Sequence, residues 1–264
     1  MKLSIIQFTP VFGDIDKNIE QISKLMEDIE DTDLIVLPEL ASTGYKFKDK
    51  DEAMSLSERA DDSRFLSFLS DIASEKECYI VAGFNEREDE LLFNSSALMG
   101  PNGTIGIYRK LHLFLDEKKI FESGNFGLPV FDTEIGKIGM LICFDWMFPE
   151  AWRTLALKGA SVIAHPSNLV LPFCQSVTPS YSLINRIFIA TANRLGTEQD
   201  LTFTGKSVIT NPIGETIAYG SVDKSEIVTA EFDIMLAANK KITPVNDIFN
   251  DRRSDVYGDL GVEF

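Results

Sequence analysis

Residues 96–108 read SALMGPNGTIGIY, and residues 207–219 read SVITNPIGETIAY. Each stretch starts with Ser and an apolar run, turns at Pro-x-Gly, and resumes as a strand ending in Tyr. Pro101 and Gly103 match Pro212 and Gly214 at one offset, since 212 − 101 and 214 − 103 both equal 111. Proline presets φ at such a turn and glycine accepts the positive φ that follows, so both stretches read as β-hairpins. Hairpins converge on this chemistry independently. The alternative is that the chain contains two similar halves, each a sheet with helices on one face. Packed sheet against sheet, they give a four-layer αββα sandwich of the α/β class.

The segments around the hairpins fit that second reading. KLSIIQF (2–8), DLIVLPE (33–39), CYIVAGF (78–84), KIGMLIC (137–143) and SVIAHPSN (161–168) read as strands, several apolar enough to be covered on both faces. KNIEQISKLMEDIE (17–30), RFLSFLSDIASEK (64–76) and PEAWRTLALKGA (149–160) carry apolar residues at helical spacing. No linker rich in Gly, Pro or Ser divides the chain. Residues 1–245 therefore read as one domain, and the polar stretch 246–264 as an extended tail.

Composition narrows the functional classes. The 264 residues carry a formal charge of −16, which argues against nucleic acid and against an anionic membrane surface. No apolar run is long enough to cross a bilayer and no targeting signal is visible, so the expected location is the cytoplasm. Cys78, Cys143 and Cys174 lie far apart, which suits a reducing compartment, and the two histidines, His112 and His165, show no zinc-ligand spacing. A small-molecule substrate or a protein partner is left.

Cys143 is the cysteine with a chemical setting. It ends an apolar strand, and Pro149 opens a helix six residues later, placing free N–H groups and a positive dipole end near the thiol. That setting predicts a lowered thiol pKa. A base is also needed. His112, placed by alternation on the side of Lys110, and His165 are candidates, but Glu39 at the end of DLIVLPE is a better one, because burial would raise its pKa toward the working pH. Lys110 could hold a positive charge where an oxyanion develops. Asp145, Glu150 and Arg153 read as an ion-pair cluster bracing the turn after Cys143, and Arg186 as structural.

Together, LPEL with Glu39, YRKLHLF with Lys110 and ICFDWMFPE with Cys143 resemble the Glu-Lys-Cys motifs of the nitrilase superfamily of carbon–nitrogen hydrolases. HPSNLVLP and NDIFNDRR are similar in style to an archaeal, Pyrococcus-type group within it. The resemblance implies the αββα fold, a homodimer or higher homo-oligomer with the 246–264 tail contributing to dimer contacts, and no cofactor or metal. It implies that Cys143 is the nucleophile, Glu39 the general base, Lys110 and the backbone N–H of Phe144 the oxyanion donors, and Glu117 a second carboxylate positioning Lys110 or the substrate. Asn168, Tyr45, Trp146 and Phe173 are candidate substrate contacts, each with an ordinary structural alternative. Phe144-Asp145 after the cysteine, where many nitrilases have Trp-Glu, favours a short linear amide over a nitrile. The rival classes are a nitrilase proper, a redox or sensing thiol protein using Cys143, and a catalytically silent scaffold.

Overall fold

The computed structural model describes residues 1–257. In the first half, β1 (Lys2–Gln7), β2 (Leu34–Val36) and β3 (Tyr79–Glu88) run parallel, and the hairpin of β4 (Leu91–Gly100) and β5 (Gly103–Arg109) adds antiparallel to β3. The second half begins with β6 (Val130–Thr133), antiparallel to β7 (Gly136–Met140). Next come β8 (Val162–Ser167) and β9 (Phe188–Asn193), both parallel to β7. A short hairpin, β10 (Thr197–Glu198) and β11 (Leu201–Thr202), precedes β12 (Val208–Thr210) and β13 (Thr216–Tyr219), which extend the sheet antiparallel to β9. The chain then returns as β14 (Glu226–Glu231) along β1.

The resulting orders are β14-β1-β2-β3-β4-β5 and β6-β7-β8-β9-β12-β13. Both sheets show one antiparallel edge strand, three parallel strands and a closing hairpin. The two quoted hairpins occupy the same place in each, and their glycines take the positive φ that the turn demands, +112° at Gly103 and +83° at Gly214. The halves are alike in topology as well as in sequence.

Packing follows from which face of each sheet is apolar. Ile6, Ile35, Ile80 and Ala82 meet Ile22 and Met26 of α1 (Ile15–Glu27) and Phe65 and Leu69 of α3 (Arg64–Glu75). On the inner side, Leu3, Ile5, Val36 and Val81 join a cluster with Met140, Ala164, Ala190 and Ile209 of the second sheet. That cluster runs on to Trp152 and Leu155 of α5 (Pro149–Leu157), and Trp152 stacks on Tyr181 of α6 (Cys174–Asn185). The order is helix, sheet, sheet, helix.

Boundaries differ from the sequence expectation where side chains override pattern. Helix α1 begins at Ile15 because the Asp14 carboxylate caps the N–H of Lys17 at 3.1 Å. DLIVLPE yields only three strand residues before Pro38 breaks the ladder. The strand before Cys143 ends at Met140, and residues Cys143–Met147 form a 3₁₀ turn. Residues 246–257 of the expected tail run mostly as turns, with Phe249 against the core, and residues 258–264 lie outside the described part. Among the described residues no helix is long and apolar enough to cross a membrane.

One glycine connects the fold to the residues of interest. Gly83 donates its N–H to Pro38 O (3.1 Å) and accepts from Ala41 N (2.9 Å), so β3 lies flat against the turn carrying Glu39. A Cβ at this position would come within 2.6 Å of both Glu39 Cα and Leu40 N, which are backbone and cannot rotate away. Gly83→Ala should therefore cost about 1–3 kcal/mol as overpacking. Urea unfolding should show a lower midpoint at unchanged slope, and a native midpoint would mean that the turn yields freely.

Candidate active site

The turns at the ends of β2, β5, β7 and β8 bring the sequence candidates together. Glu39 follows Pro38 at the end of β2 and is fully buried. Its Oε1 accepts hydrogen bonds from Lys110 Nζ at 2.6 Å and Asn94 Nδ2 at 2.7 Å, while Oε2 has no hydrogen-bond partner among the described residues. Lys110, just beyond β5, also donates to Glu117 Oε1 at 2.8 Å. Glu117 opens the short helix α4 (Glu117–Ile120) and is held from two more sides, by the Tyr45 hydroxyl at 2.6 Å and the N–H of Phe114 at 3.1 Å. Three buried charges share one pocket, which is tolerable only because they pair.

The protonation preferences follow from that enclosure. Burial alone would pull the Lys110 ammonium down, but the carboxylates of Glu117 and Glu39 overcome it and hold the lysine above its ordinary value. Burial pushes Glu117 up, the Lys110 charge resists, and Glu39 adds to the rise. Tyr45 is pushed well up by burial and by Glu117, so it stays a hydroxyl donor.

Cys143 faces the same group but not as the sequence predicted. Burial pushes its thiol well above the usual range, and the negative charge of Glu39 adds to the rise, outweighing Lys110. The expected dipole-lowered thiol is thus corrected: the 3₁₀ turn lies between Cys143 and α5, and the residue is largely buried at the foot of a cleft. The resting group is a neutral thiol. Its residue takes φ = +41°, a left-handed conformation that costs a non-glycine residue on the order of 1–3 kcal/mol. His165 Nε2 donates to the carbonyl of Cys143 at 2.9 Å, and its Nδ1 accepts from the Thr191 hydroxyl at 3.0 Å, a tautomer required because the carbonyl can only accept.

Neither histidine is placed as a base for the thiol. His112 Nδ1 bonds Asp145 Oδ1 at 2.7 Å and its ring stacks on Phe148, so the expected alternation with Lys110 fails where β5 stops at Arg109. The expected Asp145, Glu150 and Arg153 cluster is also corrected. Asp145 is buried among hydrogen-bond donors, whereas Arg153 donates to the carbonyl of Ile184 and lies over the Phe249 ring. Arg186 is structural, capping α6 at φ = +51° and donating to the carbonyls of Asn239 and Pro212.

A cleft of about 340 Å³, partly open to solvent, exposes Cys143 between Phe114, Phe144, Trp146, Met147 and the segment Asn168 to Leu171. Asn168 Nδ2 donates to the carbonyl of Glu39 at 3.0 Å, and its buried Oδ1 has no partner among the described residues. Phe144, Trp146 and Asn168 thus line the cleft. Tyr45 sits behind it against Glu117, and Phe173 does not line it but stands 55% exposed at the start of α6. Sequence reasoning missed Asn94, although three consecutive polar residues in LLFNSSALM mark a face turned to something polar. It also missed the apolar wall of Phe114, Met147 and Leu169–Leu171, which no local pattern separates from core.

His165 makes the geometry testable. Burial holds its pKa down at about 4, while the unfolded chain returns it to about 6.5. Between those values the unfolded state binds the extra proton, so this contribution to stability falls as pH drops from about 6.5 to about 4, by on the order of 3 kcal/mol. Urea midpoints of native protein and His165→Gln between pH 7 and pH 4.5 should converge as pH falls. Parallel curves would mean that His165 titrates normally in the fold.

Residues 2–241 match the family model described as carbon-nitrogen hydrolase. The chain is 43% identical to a nitrilase of Pyrococcus abyssi over 97% of its own length and 99% of the relative's. It superposes on a carbon–nitrogen hydrolase from Helicobacter pylori G27 with a TM-score of 0.90 and 26% identity, covering 100% and 99% of the two chains. An amidase from Nesterenkonia sp. shares the fold at TM-score 0.80 and 22% identity, over 97% and 94%. The chain is an enzyme of the carbon–nitrogen hydrolase family, the nitrilase superfamily.

Proposed function

We propose that this hydrolase cleaves a short, linear aliphatic amide to a carboxylic acid and ammonia through a thioester on Cys143. The observation that carries the choice is a pair of buried acceptors without donors, Glu39 Oε2 and Asn168 Oδ1, on residues grouped around the thiol. A primary amide brings an NH₂ group that can satisfy both, and a nitrile brings no donor. A buried acceptor left unpaired costs about 1–3 kcal/mol, which becomes discrimination between the two substrates. The apolar wall around Cys143 suits a short hydrocarbon chain better than a charged tail.

In this reading Glu39 takes the thiol proton as sulfur attacks the carbonyl carbon. General-base attack fits a thiol whose pKa burial keeps high better than a preformed thiolate does. The negative charge developing on oxygen meets Lys110 and the N–H of Phe144. A lysine ammonium has three donors, two of which go to Glu39 and Glu117, so one remains for the oxyanion. Glu39 then protonates the departing nitrogen, ammonia leaves, and the same carboxylate activates the water that hydrolyses the thioester. Glu117, fixed by Tyr45 and Phe114 N, keeps the ammonium in place.

The second reading, a nitrilase acting on small aliphatic nitriles, has its support in the 43% identity to the Pyrococcus abyssi nitrilase. Ammonia release from a panel of short amides, carbamoyl compounds and nitriles decides between them. Cys143→Ala should lose at least about a thousandfold on the preferred compound, in line with loss of a covalent nucleophile. Asn168→Leu also removes the hydrogen bond to the Glu39 carbonyl, but it should lower amide turnover about tenfold more than any nitrile turnover. Faster release from nitriles than from amides would establish the second reading, and release that survives in Cys143→Ala would refute both.

A further inference from the structure

Asp145 is fully buried, yet among the described residues no lysine or arginine pairs with it. Its carboxylate is instead surrounded by four donors. Oδ2 accepts from the Tyr108 hydroxyl at 2.7 Å and the N–H of Ile142 at 2.9 Å, and Oδ1 accepts from the N–H of His112 at 3.1 Å and from His112 Nδ1 at 2.7 Å. Tyr108 precedes Lys110 by two residues and His112 follows it by two. Ile142 precedes Cys143, and Asp145 itself follows Phe144. One carboxylate thus ties both flanks of the lysine segment to both flanks of the nucleophile turn.

The geometry points to Asp145 as a positioning residue that sets Lys110 Nζ and the Phe144 N–H at the separation one oxyanion requires. The two donors come from opposite halves of the molecule and meet only across the sandwich. Lys110 is fixed from its own side by Asn94 O, which accepts its backbone N–H at 2.9 Å, and by two carboxylates on Nζ. Phe144 lies in a 3₁₀ turn whose first free N–H, that of Ile142, is occupied by Asp145. The separation is therefore governed where the two segments are joined, and Asp145 joins them. Donors preorganised on a developing charge lose their effect when displaced by a fraction of an ångström to an ångström. The inference rests on the Cys143 hydrolase reading, and native turnover with its loss in Cys143→Ala tests that reading separately.

Asp145→Asn replaces an acceptor-only group by an amide whose NH₂ must face at least one of the four donors. The expected result is a fall in kcat of about 30-fold on the substrate preferred by the native enzyme, with KM within about threefold. Alkylation of Cys143 by iodoacetamide should proceed within about twofold of the native rate, because that displacement needs the thiol and its base but develops no oxyanion. Tyr108→Phe removes one of the four donors and should show the same signature at a loss of about three- to tenfold in kcat. It decides the matter if Asp145→Asn does not fold. Native kcat in these variants, or a fall in kcat matched by an equal fall in alkylation rate, would overturn the assignment. The first outcome leaves Asp145 without catalytic consequence, and the second makes it a general brace of the Cys143 turn. Either would leave the hydrolase reading intact provided Cys143→Ala abolishes ammonia release.

Discussion

The ammonium of Lys110, enclosed between the carboxylates of Glu39 and Glu117, is the interaction on which the rest of this site depends. Two negative charges and one positive charge are removed from water, so the group carries an excess of one negative charge in the interior. Such an excess is costly unless every oxygen is hydrogen-bonded. Asn94, Tyr45 and the N–H of Phe114 serve three of those positions, and Glu39 Oε2 alone is left open. In the proposed reaction the open oxygen receives the thiol proton while negative charge develops on the substrate. The excess charge then moves from Glu39 to the oxyanion without changing in amount, and Lys110 is paired throughout. The protein need not reorganise around a new charge, which is the condition under which fixed dipoles lower a barrier most.

The sandwich explains why these groups can be buried at all. Glu39, Asn94, Lys110 and Glu117 belong to the first half of the chain, and Cys143, His165 and Asn168 to the second. By the matching strand orders β2 corresponds to β8, so Glu39 and Asn168 leave equivalent strand ends, and Asn168 Nδ2 donates to the carbonyl of Glu39 across the junction. Each half exposes part of the polar group by itself, and docking the two apolar inner faces closes it. Sheet-on-sheet burial of Val36, Val81, Met140 and Ala164 thereby supplies the free energy that dehydrates the charges.

Much of this was legible in the sequence, and the reasons for what was not are specific. The repeated Pro-x-Gly hairpins and apolar strand runs gave the layered architecture because turn chemistry and burial act locally. The three motifs gave Glu39, Lys110 and Cys143 through a family resemblance, and Glu117 with them. Helix α6 escaped because Gln175, Ser176, Thr178, Pro179 and Ser180 blur its apolar stripe. The return of β14 to the edge of β1 escaped because pairing over more than two hundred residues leaves no local mark. The state of the thiol was misread for a related reason. A strand-to-helix junction is visible in sequence, but the walls around Cys143 include Phe114 and Leu169, which come from distant segments.

The raised thiol pKa bears on how Cys143 would act as the nucleophile in the proposed reaction. A thiol lowered toward neutrality would sit ionised, but its thiolate would be a weaker nucleophile, since nucleophilicity falls with pKa. Burial does the reverse at Cys143. In the proposed reaction the raised pKa keeps the resting thiol protonated, and when Glu39 removes the proton at the moment of attack the sulfur is intrinsically stronger. The arrangement costs a backbone held at φ = +41°. Hydrogen bonds from His165 to the Cys143 carbonyl and from Ile142 N to Asp145 each contribute about 0.5–3 kcal/mol, enough together to offset a strain of the same order. The left-handed cysteine, the neutral buried histidine and the carboxylate without a cation are thus parts of one solution. In the proposed mechanism they hold a largely buried, protonated thiol in the strained turn from which it attacks.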